Sequence, residues 1–209
     1  MTRAIIVAPF AALPLAVLSL TACTEALPEP VAVTDGAWTL DGEASELSYV
    51  TIKADEIAEI NSFEGLSGSV SGEGVASLEI DLSSVETGVD IRNERMREIF
   101  FVVSDNPTAS VSATLDPASF EALQVGDSVT TELAGTLNLK GVEAPFQTDV
   151  TVTRAGPDRV LAVSDAPVIV DAGQLELNDG LAQLQELAGL PSITPVVPVT
   201  FSLVFERQN

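Results

Sequence analysis

The chain has 209 residues, with 31 acidic against nine basic side chains, a formal net charge of −22, one cysteine and no histidine. Such an acidic excess excludes binding to nucleic acid, or to anionic lipid headgroups, through charge. With no imidazole and a single thiol, the commonest general base, transition-metal ligand and serine-activating partner are missing, so neither catalytic residues nor a metal site is expected and the chain does not read as an enzyme.

The first element reads as an export signal. Arg3 precedes an apolar run from Ala4 to Leu20 that Pro9 and Pro14 interrupt, which suits a cleaved signal better than a spanning helix. Leu20-Thr21-Ala22-Cys23 follows, the arrangement of a bacterial lipoprotein signal. Small residues suit a tight peptidase cleft, and only cysteine has the thiol that takes a diacylglycerol thioether. Residues 1–22 are therefore expected to be a signal peptide and Cys23 the lipid attachment site. The mature protein would be lipid-anchored on the periplasmic side of the envelope, with Thr24 in place of an aspartate favouring the outer membrane. Acylation would consume the only thiol. Residues 23–36, poor in large side chains and containing Pro28 and Pro30, read as a flexible tether, and 37–209 as one domain.

Within the domain the strand period of two dominates. Leu47, Tyr49 and Thr51 alternate with Ser48, Val50 and Ile52, and Ala76, Leu78, Ile80 and Leu82 alternate with Ser77, Glu79 and Asp81. The cleanest case is Thr108 to Leu115, where Ala109, Val111, Ala113 and Leu115 form a dry face of small side chains. Leu133 to Leu139 and Phe146 to Val152 flank Gly141 and Pro145, which predicts a hairpin with both residues in its turn. Val160 to Val163 and Val197 to Phe205 add strands. About eight strands with turn signals between them predict an all-β fold, either a closed antiparallel barrel or a sandwich. Two stretches have helical spacing, Asp90 to Phe101 and Asn178 to Ala188. The second carries Leu181, Leu184, Leu187 and Ala188 on one stripe, with Asn178 or Asp179 as its cap and Gly189 and Pro191 as its stop.

Arg92, Arg95 and Arg97 concentrate positive charge in an acidic chain and could contact an anionic headgroup, since guanidinium binds phosphate in a fork. Glu94 and Glu98 are interleaved with this cluster, and local ion pairing is the preferred reading. Carboxylate pairs such as Glu56 with Glu59 carry no signal among 31 acids. The larger side chains, Phe63, Met96, Phe100, Phe101, Phe146, Phe201 and Phe205, contrast with the small ones along the strands. A barrel walled by alanine, valine and threonine would be underfilled and could take an elongated apolar ligand, unless these residues simply pack the core.

In order, Ser45 to Val50, Phe63-Glu64-Gly65-Leu66-Ser67-Gly68, Ser84 to Gly88, Ile91 to Met96, Phe100-Phe101, Asn106-Pro107 and Gly135 to Val142 resemble the YceI-like, polyisoprenoid-binding family of exported bacterial proteins. The resemblance runs from about Trp38 to Phe205. It implies a lipocalin-like closed antiparallel barrel of about eight strands with one or two short helices. Its internal cavity would hold an isoprenoid chain, with Phe63, Met96, Phe100 and Phe101 near the mouth and Leu137 and Phe146 on the wall. No cofactor is implied beyond a bound isoprenoid quinone or polyprenyl lipid. Ile52-Lys53-Ala54-Asp55 and Ile169-Val170-Asp171-Ala172 stand where such proteins often carry a histidine and an arginine, so the family's polar ligand contacts do not transfer.

The leading expectation is a lipid-anchored periplasmic protein that binds an apolar isoprenoid lipid, with a homodimer compatible with the sequence. The alternative is a packed acidic barrel without ligand, serving as a non-catalytic interaction or stress protein of the cell envelope.

Overall fold

The computed structural model describes residues 31–208, so the signal segment and Cys23 lie outside the described residues. Twelve strand segments occur: β1 (Trp38–Leu40), β2 (Glu46–Lys53), β3 (Ile57–Phe63), β4 (Leu66–Val70), β5 (Val75–Asp81), β6 (Val85–Glu86), β7 (Thr108–Thr114), β8 (Ser128–Leu139), β9 (Val142–Gly156), β10 (Arg159–Ser164), β11 (Val168–Asp171) and β12 (Val196–Arg207). Four consecutive pairs, β1/β2, β3/β4, β5/β6 and β10/β11, are single strands interrupted by a short break. Pairing reduces the twelve to eight antiparallel staves, and β1 meets both β4 and β12, so the sheet closes on itself. The fold is a closed eight-stranded barrel rather than a sandwich.

Small residues let neighbouring strands break side by side. A Cβ on Gly42, between β1 and β2, would fall 2.3 Å from the Leu66 carbonyl oxygen, and one on Gly65, between β3 and β4, would fall 2.8 Å from Asp81 Cβ. The Gly65 amide donates to Ser84 Oγ at 2.8 Å, beside the break between β5 and β6. Three adjacent staves therefore bend at one level.

The hairpin between β8 and β9 turns on Lys140 and Gly141 alone, with φ of +56° and +80°, the two positive values that a two-residue turn of matching twist needs. Pro145, expected in that turn, instead lies within β9 opposite Thr136. β10 pairs with β9 only from Val150 onward. Pro145 thus occupies a stretch with no β10 partner, where a missing N–H is tolerated.

One end of the barrel is plugged. Trp38, Phe120, Leu123, Val150, Val152 and Val160 form a buried cluster there. Residues 31–36, read from sequence as the end of a free tether, are fastened to this end by described contacts. Trp38 Nε1 donates to the Val33 carbonyl at 2.9 Å, and Arg207 donates to the carbonyls of Ala32 and Asp35 while its guanidinium lies 4.5 Å from the Trp38 ring centroid. Buried Arg154 adds bonds to the carbonyls of Val31 at 2.6 Å, Leu123 at 3.1 Å and Pro157 at 3.1 Å. Carbonyls that water would otherwise satisfy find donors here, and Val33 packs against the plug cluster, which is why a segment poor in large side chains is held.

The opposite end carries the helical segments: α1 (Asp90–Arg95), a π-helical turn (Met96–Phe100) and α2 (Asn178–Ala188). Gly189 ends α2 in the left-handed conformation, as its position predicts. The expected side-chain cap does not form, because Leu177 occupies the cap position and Asn178 begins the helix. No described helix is long and apolar enough to cross a membrane.

Candidate functional site: an apolar cavity with a polar mouth

The period-two faces of the strands point small and aliphatic side chains inward, and they enclose a cavity of about 570 Å³. Its walls include Ala76, Ala109, Val111, Ala113 and Ala162, and it extends from Lys53 and Arg92 at the helical end to Leu115, Val152 and Phe205 near the plug. Close-packed eight-stranded barrels fill this space with side chains. Here alanine stands at four of these wall positions, and the interior stays open.

The cavity is graded along its length. On β2 the lining residues run Lys53, Thr51, Tyr49, Leu47 from the mouth inward, and opposite them on β3 stand Ile57, Glu59, Asn61 and Phe63. Of these, the residues that line the cavity are polar at the outer levels, Lys53, Thr51 and Glu59, and apolar at the innermost, Leu47 and Phe63. Tyr49 stacks on Phe63 with centroids 5.5 Å apart, Phe63 lies 5.8 Å from Phe101, and Phe101 meets Phe100 edge-on at 5.0 Å. This aromatic chain forms one wall directly beneath the polar levels.

Local bonding of α1 positions the charges. Asn93 is buried, accepts hydrogen bonds from the Thr87 amide at 2.9 Å and its hydroxyl at 2.5 Å, and donates to Glu86 at 3.0 Å. With the helix pinned in this way, Arg92 donates to the Thr87 carbonyl at 2.6 Å and forms an ion pair with Glu59, which also pairs with Lys53 at 2.8 Å. The Lys53 hydrogen bond foremost, and the Arg92 charge, hold the Glu59 carboxyl below the usual carboxylate range against the opposing effect of burial. Among the described residues lining the cavity, the charged ones are Lys53, Glu59, Arg92 and Arg95. The mouth is net positive in a strongly acidic protein.

The arginine cluster thus pairs differently from the reading along the helix. Arg92 reaches Glu59 on β3, not Glu94 or Glu98, and among the described residues Arg95 and Arg97 form no ion pair. Arg95 makes a 3.4 Å hydrogen bond to the Leu187 carbonyl of α2.

Helix α2 roofs the barrel. Leu181, Leu184 and Ala188 line the cavity, while Leu187 of the expected stripe turns outward. Gly180 lets the helix approach, since a Cβ there would lie 3.3 Å from Phe100 Cδ2. Lys140 donates to the Phe100 carbonyl at 3.3 Å and ties the β8–β9 turn to the same roof. The rim beside it exposes Ile57, Val89 and Ile91.

All six apolar residues singled out from sequence, Phe63, Met96, Phe100, Phe101, Leu137 and Phe146, line this one cavity, as do Arg92 and Arg95. Cys23 lies outside the described residues. Tyr49, Lys53 and Glu59 were not singled out. The alternation Leu47, Tyr49, Thr51, extended by two to Lys53, places the first and second of these on the inner face. Glu59 had no such marker, because it becomes distinctive only when β3 pairs with β2. Among the described residues no cluster of potential metal ligands occurs.

A closed antiparallel barrel around an open apolar interior places the protein in the lipocalin-like class of folds. The chain belongs to the YceI-like family, whose domain matches residues 38–205. Among solved structures it is similar to a polyisoprenoid binding domain from Saccharophagus degradans implicated in plant cell wall breakdown, at 36% identity and a TM-score of 0.79 over 82% of this chain and 98% of that one. BcnA of Burkholderia cenocepacia shares the fold at 18% identity and a TM-score of 0.61, covering 79% of this chain and 98% of its own. A CJ YceI protein variant does so at 11% identity and a TM-score of 0.52, covering 71% and 85%. No curated protein matches the chain.

Proposed function

We propose that this protein is a lipid-anchored binding protein of the periplasm that holds an isoprenoid or similar apolar chain in its barrel. The supporting observation is the cavity of about 570 Å³, in a chain 36% identical to a polyisoprenoid binding domain. At the packing density of protein interiors, that volume accommodates about 25 carbon atoms, or about five isoprene units. Burial contributes about 0.8 kcal/mol for each methylene-sized group, so affinity need not depend on charged contacts. A barrel acting without ligand would have no use for such a void, whose walls forgo packing contacts.

The test is mass spectrometry of organic extracts from protein purified without detergent, combined with uptake of added prenyl lipid. Recovery of a prenyl chain supports the reading. Its absence, together with failure to take up added menaquinone, overturns it.

With Cys23 acylated, the described chain begins at the plugged end, where Val31 is bonded to Arg154. The seven intervening residues, eight Cα–Cα steps from Cys23 to Val31, reach at most about 28 Å. The mouth, at the far end of β12, would then face away from the membrane that holds the anchor. In this orientation the protein would exchange its ligand with a partner or surface across the periplasm rather than with the bilayer beneath it.

A further inference from the structure

The outer levels of the cavity contain two polar atoms that the protein itself leaves without a partner. Tyr49 is 7% exposed and lines the cavity, yet its hydroxyl finds no hydrogen-bond partner among the described residues. The same holds for Nε of Arg92, although the other guanidinium nitrogens engage Glu59 and Thr87. Leaving a buried hydroxyl unpaired costs about 1–3 kcal/mol, and native structures keep few such groups. The two side chains are near neighbours: burial raises the Tyr49 pKa well above that of a free phenol, and the Arg92 charge draws it partly back.

Position strengthens the case. Tyr49 stands at the boundary between the polar outer levels and the aromatic wall, stacked on Phe63. Both orphan groups can donate, and an Arg Nε–H can do nothing else. The chemistry complementary to two donors at the head of an apolar channel is an acceptor oxygen on an apolar chain.

We propose that Tyr49 and Arg92 form a head-group subsite that binds an acceptor oxygen, such as a quinone carbonyl or a phosphate oxygen, at the mouth-side end of a ligand whose chain fills the barrel. The subsite selects amphiphiles with an oxygen-bearing head over hydrocarbons of similar length. It also sets polarity: the tail enters first and the head stays at the level of Tyr49. This inference rests on the reading of the barrel as a lipid site.

The experiment compares binding of menaquinone, geranylgeranyl phosphate and squalene to the wild-type protein and to Tyr49→Phe. That change removes one oxygen and keeps the ring stack, so the ligand-free fold should be as stable as before or slightly more so. Loss of a hydrogen bond to a buried acceptor should weaken the oxygen-bearing ligands by about 5- to 50-fold and leave squalene binding unchanged. A preference of the wild-type protein for the phosphate over the quinone would identify the anionic head as the source, and the reverse preference the carbonyl. Because Tyr49 is the only tyrosine in the chain, a hydrogen bond from its hydroxyl should also red-shift the tyrosine near-UV band when menaquinone binds, but not when squalene does. Equal loss or retention of all three ligands in Tyr49→Phe overturns the subsite while leaving the lipid site standing. Failure of the wild-type protein to bind any of them overturns both.

Discussion

Gly135 and Phe146 face each other across β8 and β9, and the phenyl ring fills the space above the glycine: a Cβ on Gly135 would lie 2.6 Å from Phe146 Cζ. The ring therefore lies against the wall, which leaves the middle of the cavity open. Gly135→Ala should push the ring inward and also crowd the Ser112 carbonyl oxygen, 2.8 Å from the new methyl position. The expected result is a loss of about 1–3 kcal/mol in urea unfolding and a shorter maximum ligand chain in binding assays. Phe146→Ala acts in the opposite sense. It should cost less than the roughly 3–5 kcal/mol of a fully packed core position, because one side of the ring already borders open space.

The mouth should respond to acid through Glu59. Its pKa is lowered in the folded protein by the Lys53 hydrogen bond and the Arg92 charge, so the unfolded chain binds its proton more readily than the folded one. The resulting stability is present above the ordinary carboxylate pKa and disappears as pH falls through the lowered folded value. Melting temperatures of wild-type and Glu59→Gln proteins should differ at neutral pH and converge in acid, below about pH 4. At neutral pH Glu59→Gln also releases Lys53 and Arg92 from their shared carboxylate, so binding of geranylgeranyl phosphate should tighten relative to squalene. A gap that widened in acid would contradict this assignment.

If the proposed ligand exchanges by movement of the roof, the point to test is the close approach of Gly180 to Phe100. A Cβ at Gly180 meets Phe100 Cδ2 at 3.3 Å and its Cα at 3.5 Å. The two further methyl groups of Gly180→Val have no room without lifting α2 from the π-helical turn. The variant should transfer bound menaquinone to acceptor vesicles faster than the wild-type protein does, with a change in the urea midpoint of the barrel that is small by comparison. Unchanged transfer would show that the ligand leaves by a route that does not involve α2.

Local features of the fold were legible wherever one face of an element met a uniform environment. Ala109, Val111, Ala113 and Leu115 alternate because one side of β7 faces the cavity, and Leu181, Leu184 and Ala188 recur at helical spacing because one side of α2 roofs it. Leu187 fits the same helical spacing but is 50% exposed, since an apolar stripe does not specify how wide the buried face is. Pro145 misled because proline usually marks a turn, and its toleration depends on where β10 stops pairing, which is a non-local fact. The polar mouth was hidden for the same reason. Glu59, Lys53 and Arg92 are brought together by the β2–β3 register and by the buried Asn93 bonds that seat α1, neither of which leaves a local pattern in a chain with 31 acidic residues.

Arg154 is the most demanding non-local feature and carries the last prediction. It is 2% exposed, and its described partners are all backbone carbonyls, from segments 123 residues before it, 31 before it and three after it. Its charge is thus solvated by peptide dipoles instead of water, and the three segments depend on one another through it. Arg154→Met keeps an apolar stem of similar length but removes the Arg154 donor from three carbonyls, of which only that of Val31 retains another, Arg207 at 3.3 Å, so the folded state should be destabilised by about 3–5 kcal/mol. The effect should be directional as well. With Arg154 gone, residues 31–36 are held by Arg207 and Trp38, and limited proteolysis should cut there first while the helical end stays resistant. If residues 31–36 proved as protected in Arg154→Met as in the wild-type protein, the fastening of the chain's entry to the plugged end, and with it the proposed outward-facing mouth of the anchored protein, would have to rest on the Arg207 and Trp38 contacts.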